Sequence, residues 1–262
     1  MNLDLSGKTA IVCGSTQGIG KATALQLAKM GANIILVARN EIKLASVKDE
    51  LDSSNGQKHN YIKTDFNFPT ELTLSIEGFI KENGPVHILV NNTGGPPGGQ
   101  AIGAQTDEYT KAFNMHLISN QCLAQAVVEG MKSEGYGRII NVISTSVKQP
   151  LNGLGVSNTI RGAVASWAKT LANELGEFNI TVNNVLPGAT NTVRLQSIIE
   201  NKASKTGRSI EDISNEMTNQ VHMKRFAEAA EIANAISFLA SPAASYINGI
   251  NVPVDGGRTK SL

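Results

Sequence analysis

The sequence has almost no excess of charge of either sign. Its 262 residues contain 23 lysines and arginines against 22 aspartates and glutamates, which gives a formal net charge of +1, and no block of like charge occurs along the chain. Proteins that bind nucleic acids present a basic surface to the phosphate backbone. We therefore expect no nucleic acid among the partners of this protein.

Long apolar runs, cysteines and metal-binding patterns are also scarce. No segment approaches the roughly 20 apolar residues of a membrane-spanning helix, and the N-terminus lacks the apolar region of a secretion signal. The only cysteines, Cys13 and Cys122, lie in apolar patterns, which favours reduced core thiols in a cytoplasmic protein. His59, His87 and His222 show no metal-ligand spacing with cysteines or carboxylates. We predict neither a membrane contact nor a metal site.

What the sequence does contain is an apolar strand-like run that ends in three glycines and enters a helical pattern. The run begins at Thr9, and the glycines are Gly14, Gly18 and Gly20. Such a turn gathers backbone N–H groups at a helix N-terminus, and glycines let a pyrophosphate approach without a Cβ in the way. The spacing G-x-x-x-G-x-G differs from the G-x-G-x-x-G fingerprint. We predict a nucleotide site, although a purely structural turn would also use these glycines.

Strand and helix patterns alternate regularly along the chain. The predicted strands span residues 9–13, 33–38, 60–64, 86–90, 138–143, 180–186 and 249–254, with amphipathic helical segments between most of them. Continuous apolar strand cores are typical of parallel strands that are covered on both faces. The pattern predicts a single α/β domain over residues 1–262, built on a doubly wound parallel sheet of about seven strands with helices on both faces.

Several further motifs follow the glycine turn in a fixed order. They are Asp65, Asn-Asn-Thr-Gly at 91–94, Asn114, Gly-Arg-Ile-Ile-Asn-Val-Ile-Ser at 137–144, Pro-Gly at 187–188 and Val-Asp-Gly-Gly at 254–257. Together with the turn, they resemble the short-chain dehydrogenase/reductase family over essentially the whole chain. The nearest members are the β-ketoacyl-carrier-protein reductases. The resemblance implies a Rossmann-type fold and a nicotinamide cofactor.

The end of the second strand indicates which nicotinamide cofactor is used. A carboxylate there would bond the ribose hydroxyls of NAD and repel a 2′-phosphate, but this chain has Ala38 and Arg39. A guanidinium offers forked, charge-assisted hydrogen bonds to phosphate. We predict NADP, with Arg39 on the 2′-phosphate; the alternative for Arg39 is a solvated surface charge.

The resemblance also implies the other cofactor contacts. Asp65 would bond the adenine, Asn91 and Gly94 would line the adenosine ribose and the sheet edge, and Ile19 would touch the pyrophosphate. Pro187, Gly188 and Thr192 would frame the nicotinamide. The full predicted set is Gly14, Ser15, Gln17, Gly18, Ile19, Gly20, Arg39, Asp65, Asn91, Gly94, Arg161, Pro187, Gly188 and Thr192.

The predicted active site departs from the family at two positions. Family members use a serine, a tyrosine proton donor, a lysine four residues after it and an asparagine. Ser144 and Asn114 are in place, but the tyrosine and lysine positions hold Ser157 and Arg161, and none of the tyrosines begins a Y-x-x-x-K motif. A serine hydroxyl is a far weaker acid than a phenol. Arg161 keeps the positive charge and can bond the nicotinamide ribose, but it does not exchange protons near neutral pH.

Three functions fit this pattern. The first is an NADP(H)-dependent oxidoreductase that reduces a carbonyl substrate, 3-oxoacyl-like or similar, with the proton coming from Ser144, Ser157, water or the substrate. The second is an NADP-binding sensor or partner subunit with little redox turnover. The third is a hydratase or epimerase. We favour the first, with Asn114, Ser144, Ser157 and Arg161 as catalytic residues, because the predicted binding residues are kept better than the proton donor.

Two expectations concern other parts of the chain. Residues 189–227 are polar and poorly patterned, and we predict a substrate lid there, whose Lys202, Lys205 and Arg208 suit an acidic substrate. The helical segments 106–133 and 155–177 carry more apolar positions than one sheet-facing side needs. They predict a homotetramer, with a dimer as the fallback. His116 is expected to point away from Asn114 and to be packed or at an interface.

Overall fold

A seven-stranded parallel sheet forms the centre of the computed structural model, which describes residues 1–261. The strands of the chain are β1 (Thr9–Cys13), β2 (Asn33–Ala38), β3 (Asn60–Lys63), β4 (Ile88–Asn91), β5 (Gly137–Val142), β6 (Ile180–Pro187), β7 (Thr190–Asn191), β8 (Ala227–Glu228) and β9 (Asn251–Val254). The large sheet has the order β3-β2-β1-β4-β5-β6-β9, and β7 and β8 pair separately. The strand order reverses between β1 and β4, which is where ligands bind in sheets of this kind.

Helices cover both faces of the sheet. They are α1 (Gly18–Lys29), α2 (Glu41–Asp49), α3 (Pro69–Asn83), α4 (Thr106–Phe113), α5 (Ser119–Ser133), α6 (Gly155–Leu175), α7 (Val193–Thr206), α8 (Ile210–Asn219) and α9 (Ala229–Ala240). Buried side chains of α1, α2 and α9 pack on one face, and those of α3, α5 and α6 on the other. The predicted doubly wound α/β fold is confirmed.

Four asparagines form a ladder across the carboxyl-terminal part of the sheet. The Nδ2 of Asn91 donates to Oδ1 of Asn141 (2.8 Å), that of Asn141 to Asn184 (2.9 Å) and that of Asn184 to Asn251 (2.8 Å). This ladder explains why β4 extends one residue beyond its predicted end at Val90. Pairing with the neighbouring strand, and not the apolar run, sets where this strand stops.

The helical segment predicted over 106–133 is interrupted in its middle. One π-helical turn, Asn114–Ile118, separates α4 from α5. A π turn has more than 3.6 residues and therefore rotates the side chains that follow it, and such turns are frequent at functional sites. The interruption begins at Asn114, one of the predicted catalytic residues.

The segment predicted as a lid contains more regular secondary structure than its sequence pattern indicated. Residues 189–227 contain α7 and α8, which share an apolar cluster of Leu195, Ile199, Ala203 and Ile213. The short strands β7 and β8 pair at its two ends. Lys202 and Arg208 both form ion pairs with Glu216, so these two cations are already paired within the chain. Its role as a lid stays a prediction.

The described residues can be searched for membrane-spanning helices and metal-binding groups, and they include both cysteines. No helix in residues 1–261 has the length and apolar character to cross a membrane. Within the same range, no group of three or more His, Cys, Asp or Glu side chains is placed to hold a metal ion. Both cysteines are free thiols, but only Cys13 is a core residue, where burial raises its pKa to about 12, whereas Cys122 is half-buried.

Candidate active site

The predicted site residues converge at the carboxyl edge of the sheet around the β1–β4 switch point. The glycine turn follows β1, Arg39 follows β2, and the loop from Asn92 to Gln105 follows β4. Ser144 lies two residues beyond β5, and Pro187 ends β6. Parallel strands place all their carboxyl ends at one edge, so residues far apart in sequence face one crevice.

The glycine turn is packed so tightly that two of its positions have no room for a side chain. A Cβ on Gly14 would lie 2.4 Å from the carbonyl oxygen of Asn92, and one on Gly20 would lie 2.2 Å from the carbonyl oxygen of Gly14. Gly14 and Gly18 also have positive φ angles of 59° and 54°. The amide Nδ2 of Asn92 donates to the carbonyls of Cys13 and Gly14 (3.2 and 3.4 Å), which ties the turn to the loop after β4.

The N-terminus of α1 is left open to the crevice. Gln17 is its N-cap residue but makes no capping hydrogen bond with its side chain, and no acidic residue lies in the first turn, which contains the half-buried Ile19. By contrast, Asn40 caps α2 with its side-chain oxygen on the N–H of Lys43 (3.0 Å). Uncapped N–H groups and the helix dipole favour an anion. The turn is therefore suited to a pyrophosphate.

Two predicted cofactor residues use their side chains within the protein. Ser15 is fully buried, and its Oγ accepts a hydrogen bond from the N–H of Val37 (3.1 Å). The side chain of Asn91 is only 2% exposed because it begins the asparagine ladder, and its Oδ1 has no partner in the described chain. Ser15 therefore exposes neither its hydroxyl nor its main chain, and its predicted cofactor contact stays a prediction. Asn91 acts first as a sheet residue.

Arg39 and Asp65 lie together at the adenosine end of the crevice. The Nη1 of Arg39 is 3.8 Å from Oδ2 of Asp65, and the Arg39 side chain is 71% exposed. The other oxygen of Asp65 accepts from the N–H and Nδ2 of Asn67 (3.0 and 2.9 Å). A weakly held, exposed guanidinium is free to turn towards a phosphate.

The opposite wall is formed by the chain that leaves β6. The N–H of Gly188 bonds the carbonyl of Val254 (2.9 Å), and a Cβ there would lie 2.7 Å from Cα of Asp255. Thr192 caps α7 through its Oγ1, which accepts from the N–H of Leu195 (3.3 Å). Its methyl group would be 3.2 Å from a Cβ on Gly18. This contact brings the start of α7 next to the glycine turn.

The four predicted catalytic residues lie on or beside three elements, two of which contact the third. The π turn that starts at Asn114 and the 3₁₀ turn after Ser144 both pack against α6, which carries Ser157 and Arg161. The Oγ of Ser144 accepts from the N–H of Ser146 (3.1 Å). Ser157 is half-buried in the first turn of α6, and its hydroxyl has no partner within residues 1–261.

Arg161 is buried at the end of β5. It is 7% exposed, and its Nη1 donates to the carbonyl of Val142 (3.2 Å), two residues before Ser144. Burial, followed by repulsion from Arg194, lowers the pKa of the Arg161 guanidinium to about 10. The side chain therefore carries its full charge near neutral pH.

His116 is a residue of this site that sequence reasoning missed. It is 1% exposed, its Nδ1 lies 2.5 Å from Oγ1 of Thr93, and its Nε2 is buried without a partner in the described chain. Burial, and then the charge of Arg161, lowers its pKa to about 2, so the imidazole is neutral. The expectation that it packs is confirmed. It lies in the π turn two residues after Asn114, and the prediction that it points away from Asn114 stays a prediction.

Arg194 is the second residue that was missed. It lies in the first turn of α7, and its Nη2 donates to the carbonyl of Pro96 (2.8 Å) in the loop after β4. In the structure it lies three residues after the end of β7, and the one signal available in the sequence was its place inside the segment predicted as a lid. Lys202, Lys205 and Arg208 carried the acidic-substrate prediction instead.

A family model and similar proteins of known name all match nearly the full length of this chain. The profile described as enoyl-(acyl carrier protein) reductase matches residues 14–259. The 7α-hydroxysteroid dehydrogenase of Escherichia coli (strain K12) is 31% identical over 261 residues, covering 100% of this chain and 98% of that protein. The 3-oxoacyl-(acyl-carrier-protein) reductase of Pseudomonas aeruginosa is 30% identical, covering 99% of this chain and 100% of the relative.

Solved structures agree. The L-sorbose reductase of Gluconobacter frateurii, in complex with NADPH and L-sorbose, has a TM-score of 0.93 at 31% identity over 100% of both chains. Fold, motif order and identity over nearly the full length all point the same way. The chain belongs to the short-chain dehydrogenase/reductase family of oxidoreductases, with 3-oxoacyl reductases among its relatives.

Proposed function

We propose that this protein is an NADP(H)-dependent reductase of a carbonyl substrate, with Ser157 and Arg161 in place of the family's tyrosine and lysine. The observation that carries the proposal is the packing of two turns against α6 at the carboxyl edge of the sheet. Asn114 begins the π turn and Ser144 precedes the 3₁₀ turn, and both turns contact α6, which carries Arg161. The uncapped N-terminus of α1 follows β1 at the same edge. The nucleotide turn and the serine that would hold a carbonyl oxygen are thus both present.

The residues around the turn fit NADP. The open N–H groups of α1 suit the pyrophosphate, and the exposed Arg39 suits the 2′-phosphate. Asp65 lies beside Arg39, where the adenine would be held. The G. frateurii relative was solved with NADPH, which supports the same choice. When bound, NADPH supplies the hydride that reduces a carbonyl carbon, whose oxygen must then receive a proton.

The chain's own residues have separate tasks in this proposal. Ser144 donates a hydrogen bond to the carbonyl oxygen, and the positive charge of Arg161 stabilises negative charge that develops there. Ser157, or a water that it holds, passes on the proton. Asn114, at the start of the π turn, positions that water. A 3-oxoacyl-like substrate is suggested by the P. aeruginosa relative.

Titration and turnover on the same sample test the proposal. NADPH binding is followed by calorimetry, and NADPH oxidation is measured with acetoacetyl thioesters, diketones and quinones. We expect tight binding and slow but measurable turnover, which Ser144→Ala reduces by about 10- to 100-fold without changing the affinity for NADPH. Tight NADPH binding with no turnover on any carbonyl would instead favour an NADP-binding sensor or partner subunit.

We also propose a cytoplasmic homotetramer, or failing that a dimer, built from the segment of α4 and α5 together with α6. Phe113 is 39% exposed, and Trp167 and Leu171 on α6 are half-buried. Val164, which the sequence also assigned to this surface, is fully buried against Ile143 and Leu186 and cannot contribute. Light scattering at micromolar concentration should give the mass of four chains; a monomeric mass contradicts both assemblies.

A further inference from the structure

Two arginine side chains from distant parts of the chain meet beside Gly95. The point where a Cβ of Gly95 would lie is 3.5 Å from Nη2 of Arg194 and 3.9 Å from Nη2 of Arg161. Apart from Gly95 itself and its two neighbours in the chain, no other described residue has an atom within 4 Å of that point. The two guanidinium groups therefore face the same small space, and the absence of a side chain at Gly95 keeps it open.

Neither of these guanidinium groups has a carboxylate partner within residues 1–261. Each donates to one main-chain carbonyl, Arg161 to Val142 and Arg194 to Pro96. A guanidinium has five N–H donors, so most of them are unused. The other buried arginine, Arg138, differs in this respect: it donates to two carbonyls, those of Gly137 and Asn179, and stacks on the ring of Tyr136 at 4.2 Å.

The charge balance at this place is incomplete. Two positive charges lie near each other, one of them buried, and repulsion between them is what a compensating anion would remove. His116, the titratable group packed beside Arg161, is neutral and supplies no counter-charge. The lid cations Lys202 and Arg208 are paired with Glu216 and do not enter this balance.

We propose that Arg161 and Arg194 bind a carboxylate group of the substrate, so that the substrate is an oxo acid. Arg161 is anchored to Val142, two residues before Ser144, which would hold the carbonyl to be reduced. The carboxylate thus lies near the reacting carbonyl. Assigning the anion to a substrate rests on the proposed carbonyl reduction; the two arginines could otherwise receive a phosphate of the cofactor, which offers the same chemistry.

Binding without turnover is the first test. Oxamate is the charged probe and ethyl oxamate its neutral twin, and both are titrated by calorimetry into the NADPH-loaded protein. We expect the wild type to bind oxamate at least about 10-fold more tightly than the ester, and Arg194→Gln to lose that preference. Arg194→Lys keeps the positive charge but loses the paired N–H donors of the guanidinium, so its preference for oxamate should lie between those of the wild type and Arg194→Gln.

The matched control removes an equal charge elsewhere. The Nη2 of Arg258 donates to Oε1 of Gln220 (2.9 Å), not into the space beside Gly95. Arg258→Gln should leave the oxamate preference unchanged. Arg194 is exposed and sits on the outside of α7, so its variants are expected to fold, which thermal unfolding would verify.

The source of the anion is decided by NADPH affinity. If the anion is the substrate's carboxylate, Arg194→Gln leaves NADPH affinity unchanged and lowers kcat/KM for acetoacetate by about 10- to 100-fold, with little change for its methyl ester. A loss of NADPH affinity with oxamate binding intact would overturn the proposal in favour of a cofactor phosphate. Equal binding of oxamate and its ester to the wild type would overturn it outright.

These outcomes are separable from those of the proposed function. Failure of carbonyl reduction shows as absent NADPH oxidation with every substrate, whichever arginine is present. Selective oxamate binding that depends on Arg194 would then still establish the anion site. Turnover of neutral ketones with no preference for oxamate would support the reductase and remove the oxo-acid specificity.

Discussion

The nucleotide half and the reaction half of the crevice are built by different means. In the first half, main-chain contacts leave room only for glycine, since a Cβ at Gly14 or Gly20 would lie 2.4 or 2.2 Å from a carbonyl oxygen. In the second half, side chains set the chemistry: Arg161 is buried with a single carbonyl partner, and Ser157 has none in the described chain. A substitution at a glycine that is packed against main chain displaces the backbone of the turn. A side chain on a stable helix can be substituted without moving the helix backbone. Ser157 and Arg161, which we propose stand in place of the family's tyrosine and lysine, both lie on α6, in the reaction half.

The largest effect is expected from restoring the missing acid. Ser157→Tyr with Arg161→Lys should raise kcat/KM on neutral diketones and thioesters by on the order of 10²- to 10⁴-fold, because a positioned acid then protonates the developing alkoxide. Steady-state NADPH oxidation measures it. Thr159→Tyr, which adds a phenol at an exposed position of the same helix, should change nothing.

The opposite result of the double substitution would change the comparison between the two halves of the crevice. Rapid wild-type turnover that the double substitution abolishes would mean that Ser157 and Arg161 are the working groups of a different mechanism. The reaction half would then be as strictly determined as the nucleotide half.

The next effect concerns the glycine turn. Gly20→Ala places a Cβ against the carbonyl of Gly14, which should cost about 1–3 kcal/mol of unfolding free energy. Displacing the turn by about an ångström should lower NADPH affinity by roughly 100-fold. Urea unfolding and calorimetry give the two numbers.

Another helical glycine provides the control for Gly20. Gly78 in α3 has nothing within 4 Å of its Cβ position, so Gly78→Ala should add about 0.5–1 kcal/mol of stability and leave NADPH binding alone. If Gly20→Ala behaved like Gly78→Ala, the main chain would not be what constrains the nucleotide half.

A smaller effect is expected at the adenosine end. Arg39→Ala should lower NADPH affinity by about 10-fold and leave NADH affinity unchanged, since only NADPH carries the 2′-phosphate. The loss is modest because the guanidinium is 71% exposed. Lys63→Ala, which removes an exposed cation from the adjacent strand, is the matched variant. Equal losses for both cofactors would mean that Arg39 does not select between them.

The last effect is the pH dependence of stability that His116 contributes in the reaction half. The folded pKa of His116 is about 2, below the ordinary value of 6.5, so between these two values the unfolded chain binds a proton that the folded chain does not. Stability contributed by neutral His116 is present above pH 6.5 and is lost as pH falls, at about 1.4 kcal/mol per unit. His116→Gln, which does not titrate, should flatten the decline measured by urea unfolding between pH 7 and pH 5. An unchanged slope would contradict the buried, neutral imidazole.

Much of the fold was predictable because its signals are local. Apolar runs such as Ile34–Val37 mark buried parallel strands, and the glycine spacing marks the turn between β1 and α1. Strand ends were less accurate, since pairing with neighbours, as between Asn91 and Asn141, carries a strand beyond its apolar core. The family resemblance placed the remaining landmarks in order.

The reaction half was predictable only in part, because its chemistry depends on long-range meetings. Arg194 and Gly95 are far apart in the sequence, as are His116 and Thr93, and no local pattern shows that they come together in the fold. The π turn that contains Asn114 and His116 also left no signal in the apolar pattern of the sequence. Lys202 and Arg208 were visible in the sequence of the segment predicted as a lid, but their pairing with Glu216 was not.

The asparagine ladder has a polarity that its individual bonds do not reveal. The first three amides donate towards β9 and the last three accept from the side of β4, so turning over either of the two inner amides would set nitrogen against nitrogen and oxygen against oxygen at its contacts. The four amides therefore share a single orientation and can reverse only together. Their aligned dipoles leave an oxygen, Oδ1 of Asn91, at the end nearest the switch point of the sheet. A carboxamide row of this kind fixes the sign of the electric field that the centre of the sheet presents to the crevice.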